Sequence, residues 1–375
     1  MKLSPRLMML VGVFMLFCVV QLSNAQQTIT PVLQFLLLDE EPILPLRIDY
    51  TNGTSESVDY VVGDIVSRDG HGNRLNCVIS HFSYDDPIIF PNEPGRAHLH
   101  MFWGSGDVDA FTTEESIQSA GTSSCTGGTN YRAGAWIPAL FNSNDEVVIP
   151  RLVLIYYKLF GHEGLNYDLV REIPQGLAML ASTNTLNYYG HMTSGYGDHE
   201  GPVFFINIRF PSCVATHNGE ISGDPILSYR DMPGEAANQV NSHVAYPGGE
   251  INEVGCPPTH PYRFAAPEFV VNFDSDEAGE APYLSSDAMS DSTPMSTLHG
   301  DYMFGIEPSV NQDILHCVQE SRNCSFEGGS GALPERFTGP FGTVYDLNAH
   351  LLDSADATPF GSNLSPTLTD EHSHN

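Results

Sequence analysis

The chain has 375 residues, with 46 Asp or Glu against 15 Lys or Arg, so its formal net charge is −31. Its 41% hydrophobic content excludes a disordered acidic chain, and its 34 glycines and 26 prolines disfavour a helical bundle or coiled coil. The acidic excess also argues against nucleic acids and anionic membrane surfaces as partners, because both are bound through clustered Lys and Arg.

Residues 1–25 have the features of a secretory signal peptide. Lys2 and Arg6 form a charged start, residues 7–22 are largely apolar, and the small residues at 23–25 fit a cleavage site. A membrane anchor is the alternative, but this run is short for a bilayer span. No later segment approaches the roughly 20 apolar residues that a span requires. We therefore predict a secreted, extracellular protein without a membrane span.

Six cysteines remain once the signal peptide is removed. An even number of cysteines in an exported chain predicts disulfides, here three. Six cysteines allow fifteen connectivities, and sequential pairing is the working prediction. It joins Cys77 to Cys125, Cys213 to Cys256, and Cys317 to Cys324. A zinc site is disfavoured because no C-x-x-C pair occurs.

The mature sequence divides into three regions. Residues 26–70 form a strand-and-loop segment expected to pack on the core, 71–325 form the core domain, and 326–375 form a Gly-, Ser- and Asp-rich acidic extension. Short runs rich in Val, Ile, Tyr and Phe between turn residues are typical of strands. They cover 76–82, 97–103, 152–160, 203–210 and 269–273.

Helical patterns are few, and the best runs from Val310 to Glu320. We therefore predict a mainly β fold, an antiparallel sandwich or jelly-roll-like core with long disulfide-stapled loops and few short helices.

The sharpest local pattern is His98-Leu99-His100. In a strand, alternate side chains share a face, so the two histidines point to one side while their apolar neighbours pack on the core. Two such imidazoles can bind one metal ion, of divalent or copper type, transfer protons, or make structural hydrogen bonds. The pattern is similar to the H-x-H of cupins, although the acidic residue expected a few positions later is absent.

Asp85-Asp86-Pro87 precedes this motif and is typical of a turn, because Asp caps its own backbone and Pro fixes φ. The alternative is that one aspartate binds a cation or orients a neighbouring histidine. His81 follows Cys77 by four residues, on a stretch that a disulfide would hold rigid.

Two tryptophans and two scarce cations each have two interpretations. Trp103 and Trp136 are core residues if buried, or rings that stack on sugars if exposed. Arg132 and Lys158 either pair with one of the many carboxylates or bind a carboxylate or hydroxyl-rich ligand.

Together these motifs resemble the DUF1996 family of secreted fungal and bacterial proteins. The likeness spans about residues 70–320, with motifs in the same order: S-H-x-x-Y-D-D-P (80–87), G-x-x-H-x-H-x-F-x-G (95–104), the block 125–140, Y-Y-K (156–158), S-H-V-A-Y-P (242–247), C-P-x-x-H-P (256–261) and H-G-D-Y (299–302). The resemblance implies no settled activity, but it implies a common site. We expect His98 and His100 to bind the metal. The matching catalytic candidates are His81, Tyr84, Asp85, Arg132, Lys158, His243, His260, His299 and Asp301.

Two functions compete. The first is an extracellular protein that binds or acts on polysaccharide, since related fungal domains sometimes accompany a carbohydrate-associated module. An enzyme of this kind would use a metal, or His and Tyr acid–base chemistry with Arg132 or Lys158 neutralising a uronate. The second is a non-catalytic, disulfide-stabilised structural or surface protein. A serine hydrolase is disfavoured because no G-x-S-x-G motif occurs.

Overall fold

A computed structural model describes residues 47–49, 53–65, 72–159, 166–182, 186–193, 201–248, 250–326, 336–338 and 344–346. All of them lie within one unit, Pro45–Pro366. The predicted signal peptide, 1–25, and most of the 326–375 extension lie outside the described residues.

A six-stranded antiparallel sheet holds the residues that matter most for function. In spatial order its strands are β1 (Arg47–Asp49), β4 (Ile79–Ser83), β5 (His100–Gly104), β6 (Gly134–Pro138), β17 (Gly300–Met303) and β9 (Ala178–Ala181).

A seven-stranded sheet lies opposite. Its order is β10 (Tyr188–Met192), β11 (Val203–Arg209), β15 (Ala266–Asp274), β8 (Leu152–Lys158), β3 (Gly72–Cys77), β18 (Asn323–Phe326) and β2 (Tyr60–Val61). Neighbours are antiparallel except β3 and β18, which are parallel.

The remaining elements are short. A three-stranded sheet has the order β13 (Val244–Ala245), β12 (Cys213–Val214) and β14 (Tyr262–Arg263). One two-stranded sheet pairs β16 (Tyr283–Leu284) with β7 (Leu140–Phe141), and another pairs β19 (Arg336–Thr338) with β20 (Val344–Asp346). The helices are α1 (Ser275–Ala278), α2 (Ser285–Met289) and α3 (Pro308–Gln319), with 3-10 turns at Ser116–Ser119, Tyr167–Leu169, Tyr229–Asp231 and Gly234–Asn238. The predicted helix is α3, which begins at a proline, where a missing N–H costs nothing. Among the described residues, no helix has the length and hydropathy to cross a bilayer.

The two large sheets pack face to face around the main hydrophobic core. Trp103 on β5 and Tyr302 on β17 contact Phe269 on β15, with ring centroids 5.0 and 6.1 Å apart. The hydroxyl of Tyr157 on β8 lies 2.5 Å from that of Tyr302, so polar atoms at this interface satisfy each other. This arrangement confirms the predicted antiparallel sandwich.

The opposite face of the six-stranded sheet is buried as well, beneath loops. The register pairs Phe102 with Trp136 and Trp136 with Asp301, so these side chains form one row on that face. Val108 and Ile117, from the segment that follows β5, pack in the same cluster as the two aromatic rings. Both tryptophans of the chain are fully buried, which makes them core residues and not sugar-stacking rings.

Three disulfides staple the loops to the sandwich. They join Cys77 to Cys125, Cys213 to Cys256, and Cys317 to Cys324, the sequential pairs predicted. The first anchors the end of β3, and the last closes the turn between α3 and β18.

Removing the Cys77–Cys125 bridge is expected to destabilise the protein more than removing Cys317–Cys324. In the chain-entropy model the effect grows with the logarithm of loop length, and the sequence separations are 48 and 7 residues. The expected difference is about 1.7 kcal/mol. Urea unfolding of the double variants Cys77→Ala/Cys125→Ala and Cys317→Ala/Cys324→Ala measures it. Equal losses would contradict the loop-length argument, because all four cysteines are buried.

Candidate metal centre

Three histidines meet on the loop-covered face of the six-stranded sheet. His100 is the first residue of β5, His98 lies two residues before that strand, and His299 immediately precedes β17. These two strands flank β6, where His100 pairs with Pro138 and Asp301 pairs with Trp136. The strand register puts His100 and Asp301 on one face. The rings of His98 and His299 contact each other and His100 there, just outside the strand ends.

The three imidazoles are close enough to serve one ion. One ring nitrogen from each lies within 4.8 Å of the others. The ring centroids of His98 and His100 are 4.1 Å apart, and those of His98 and His299 are 5.1 Å apart. Metal–nitrogen bonds of about 2.0–2.1 Å place tetrahedral ligand atoms roughly 3.4 Å apart. Small side-chain rotations therefore bring all three nitrogens within bonding distance of a single ion.

Backbone carbonyls set the tautomer of two of the rings. His100 Nδ1 lies 3.0 Å from the carbonyl oxygen of Asp85, and His299 Nδ1 lies 2.7 Å from that of Thr297. A carbonyl only accepts, so each Nδ1 carries the hydrogen and donates it. In the neutral rings Nε2 then holds the lone pair. Metal-binding histidines in proteins are oriented in this way.

In the turn that covers the site, both aspartate side chains accept backbone hydrogen bonds, as the turn interpretation predicts. Asp86 Oδ1 accepts hydrogen bonds from the amides of Ile88 and Ile89, both at 2.9 Å, and so caps the turn. Asp85 Oδ1 accepts from the Gly95 amide at 3.0 Å. The group that orients His100 is the main-chain carbonyl of Asp85, and not its carboxylate.

Two buried carboxylates add negative charge beside the histidines. Asp301 is fully buried, and its Oδ2 lies 3.8 Å from His299 Nε2. Burial, with a contribution from the charge of Asp86, raises the pKa of Asp301 well above its ordinary value. Burial also raises the pKa of Asp86 to about 6, against the opposing effect of its two amide hydrogen bonds.

His81 and Tyr84 lie near this centre but face other groups. His81 pairs with Phe102, one row along the sheet face from His100, and its ring stacks on that phenylalanine at 4.4 Å. Burial lowers the pKa of His81 well below its ordinary value, so the ring is neutral. Tyr84 packs on the main core between the sheets, and burial raises the pKa of its hydroxyl to about 12.

His243 and His260 form a separate pair. His243 Nε2 donates to the carbonyl of Ala178 at 2.7 Å, and His260 Nε2 lies 3.0 Å from the carbonyl of Ser242. Burial, with a smaller contribution from the nearby His260, lowers the pKa of His243 to about 4, against the opposing effect of its hydrogen bond to Ala178. Both contacts are those of loop histidines that satisfy backbone carbonyls.

The two predicted ligand-binding cations have acidic partners of their own. Arg132 Nη1 lies 2.8 Å from Glu307 Oε2. Lys158, at the end of β8 in the other sheet, lies 3.8 Å from Glu268 and 4.1 Å above the ring of Tyr156. Their predicted roles toward a substrate stay predictions, as do those of His81, Tyr84, His243 and His260. Of the eleven candidates, the structure gathers His98, His100 and His299 into one cluster, with Asp301 beside His299.

Sequence reasoning missed two contributors to the centre. Thr297 acts through its carbonyl, and Arg230 donates to the carbonyls of Ile88 and Ile89 in the covering turn. Main-chain acceptors leave no signature in a sequence, and Arg230 lies 142 residues from Ile88. No local signal points to either residue.

The buried, neutral His243 is expected to make the protein less stable in acid. Its folded pKa of about 4 is below the unfolded value, so the unfolded chain binds the proton more tightly. The associated stability is complete above about pH 6.5 and is lost as the pH falls toward 4. Between pH 7 and 5 the loss is about 2 kcal/mol. His243→Gln, which retains a donor, should show less acid sensitivity in urea unfolding at the two pH values; an unchanged difference would contradict this account.

The sequence comparisons identify the family of the domain that contains these residues. A family model described as a domain of unknown function, DUF1996, matches residues 86–305, more than half of the chain. The matched range includes His98, His100, His299 and Asp301. No curated protein and no solved structure matches the chain. The protein therefore belongs to the DUF1996 family.

Proposed function

We propose that the mature protein is exported, binds a divalent transition-metal ion through His98, His100 and His299, and uses this centre on extracellular polysaccharide. The observation that carries the metal part is the convergence of three ring nitrogens within 4.8 Å of one another. Export is supported by the signal-like start and by three disulfides, which are typical of oxidising compartments.

The chain's own residues prepare this centre for binding. The carbonyls of Asp85 and Thr297 hold the Nδ1 hydrogens of two rings, so the Nε2 lone pairs are directed before an ion arrives. His299 is 9% exposed and His98 is 3% exposed, whereas His100 is fully buried. A molecule or ion that arrives from solvent therefore reaches His299 and His98 before His100. When bound, the ion supplies Lewis-acid chemistry or an activated water.

The carbohydrate part of the proposal is supported by a cavity beside the same sheet face. It measures about 250 Å³, and the 57% exposed ring of Phe111 lines it. Sugars are bound by hydroxyl and carboxylate groups together with an aromatic ring against their apolar face. The other lining residues are Ser105, Asp107, Asp109, Thr112, Ser116, Ile117, Ser119 and Ala120. Two carboxylates in the lining favour a neutral sugar over a uronate.

A structural role for the metal is the second candidate, and the burial of the site favours it. His100 is fully buried and all three histidines are at most 9% exposed. Closed metal sites in proteins support the fold, whereas catalytic ones keep a position open. In this case the ion would tie β5 to the start of β17 across β6, much as the disulfides tie the loops.

Metal binding is tested by titrating the chelator-stripped protein with Zn²⁺, Mn²⁺ and Fe²⁺ in a calorimeter. We expect one equivalent bound by the wild type and an affinity at least ~100-fold lower in His98→Ala/His100→Ala, because two ligands are lost. His316→Ala is the matched control, since this α3 histidine is exposed and pairs with Glu320. Equal binding by the double variant would rule out this centre.

The same samples separate the two roles of the metal. If the ion acts on polysaccharide, stripping it abolishes turnover or weakens polysaccharide binding. If it only supports the fold, stripping lowers the melting temperature and leaves polysaccharide binding by the folded protein unchanged.

Phe111→Ala is expected to weaken binding to a neutral polysaccharide by about 10-fold, as the loss of one stacked ring implies. Phe111→Trp should retain binding. Affinity electrophoresis on a panel of neutral glucans and mannans measures the effect. Tyr189→Ala removes a comparably exposed ring on β10 and serves as the control. If both alanine variants bind like the wild type, the cavity is not the sugar site.

A further inference from the structure

We propose that Asp301 is the fourth ligand of this centre, so that a divalent cation is held by three imidazoles and one carboxylate. The inference rests on the metal site proposed above and assigns its charge and coordination set. It differs from that proposal in giving the buried carboxylate on β17 a direct bond to the ion.

The position of Asp301 carries the inference. Its carboxylate is fully buried, and Oδ2 lies 3.8 Å from His299 Nε2, on the side of the ring opposite the Nδ1 that donates to the Thr297 carbonyl. Two ligand atoms on one tetrahedral ion are roughly 3.4 Å apart. The observed separation is therefore close to that of two ligands of one metal and too long for a hydrogen bond.

Neither oxygen of Asp301 has a hydrogen-bond partner within the described part of the chain. A buried carboxylate in this condition is strongly unfavourable, and proteins compensate such groups with a cation or with donors. A bound cation compensates the charge of the carboxylate and supplies a partner to its oxygen.

The surrounding charges also favour a cation. Asp85 and Asp86, both nearly buried, lie on the turn that covers the histidines, and Asp86 is close enough to influence Asp301. Arg230 supplies one positive charge, through a guanidinium that donates to the carbonyls of Ile88 and Ile89 in this turn. Arg47 supplies another, through a guanidinium that donates to the carbonyl of Val108. Three carboxylates against two guanidiniums leave an acidic excess, which a bound cation reduces.

The proposed nitrogen and oxygen ligands limit which metal ions suit the site. Imidazole nitrogens suit Zn²⁺, Fe²⁺ and related ions, and a carboxylate adds a hard oxygen that Mn²⁺ also accepts. Cu⁺ prefers the sulfur of Cys or Met and is disfavoured by this set. The inferred occupant is thus a divalent first-row metal bound by nitrogen and oxygen.

The test replaces Asp301 with the isosteric, neutral Asn and uses Co²⁺ as the probe. Asp301→Asn is expected to bind Co²⁺ at least ~10-fold more weakly than the wild type and to show an altered visible absorption spectrum. Without metal, Asp301→Asn should be at least as stable as the wild type. Adding Co²⁺ should raise the melting temperature of the wild type by more than that of the variant. A merely structural aspartate would instead lower the stability of the metal-free protein.

Glu268→Gln is the matched control, because Glu268 is a nearly buried carboxylate in the other sheet, paired with Arg209 and Lys158. Its Co²⁺ affinity should equal that of the wild type. If Asp301→Asn binds Co²⁺ with wild-type affinity and spectrum, Asp301 is not a ligand, although the three-histidine centre stands. If the wild type binds no metal, the proposed centre itself fails.

A second measurement covers the case in which Asp301→Asn does not fold. In a crystal structure of the Zn²⁺-loaded wild type, an Asp301 oxygen must lie about 2.0–2.2 Å from the ion. An Asp301 side chain directed away from a bound Zn²⁺ overturns the assignment.

Discussion

The candidate site depends on the register of three neighbouring strands, β5, β6 and β17. This register places His100 and Asp301 on one face of the sheet, with His299 beside them, and turns Trp103 and Tyr302 toward the other. A slip of one residue would exchange the two faces. It would carry imidazoles and a carboxylate into the main core and aromatic rings out of it. The packing that stabilises the sandwich therefore also enforces the geometry of the histidines.

Burial of the carboxylates beside the histidines is electrostatically unfavourable, and it favours a bound cation at this centre. A chain with a net charge of −31 places Asp86 and Asp301 at low exposure, where burial raises both pKa values. The charge of Asp85 adds to the rise for Asp86, and the charge of Asp86 adds to the rise for Asp301. Loops without regular structure achieve this burial by packing Ile88 and Val108 over the sheet. The arrangement favours a bound cation, because two imidazoles already have their Nδ1 hydrogens committed to backbone carbonyls.

The other histidines show why a count of such residues overstates a site. His243 lies four residues before Pro247, His260 lies beside Pro261, and the family resemblance groups both with His299 as candidates for one site. Their ring nitrogens instead contact carbonyls of Ala178 and Ser242. A loop leaves carbonyls that no strand partner satisfies, and a histidine ring is one of the donors that can reach them. The local sequence around a histidine that binds a metal can therefore look the same as that around a histidine that only donates to a backbone carbonyl.

The amino-acid sequence by itself determined the all-β class, helix α3, the sequential disulfides and the shared face of His98 and His100. Each of these follows from short-range periodicity, composition or cysteine order, which do not depend on long-range pairing. Only the tertiary structure decided that His299 and Asp301 complete the cluster, since β6 must first lie between β5 and β17. Asp301, about 200 residues after the H-x-H motif, comes to the same sheet face because strand pairing joins distant segments that no local pattern connects.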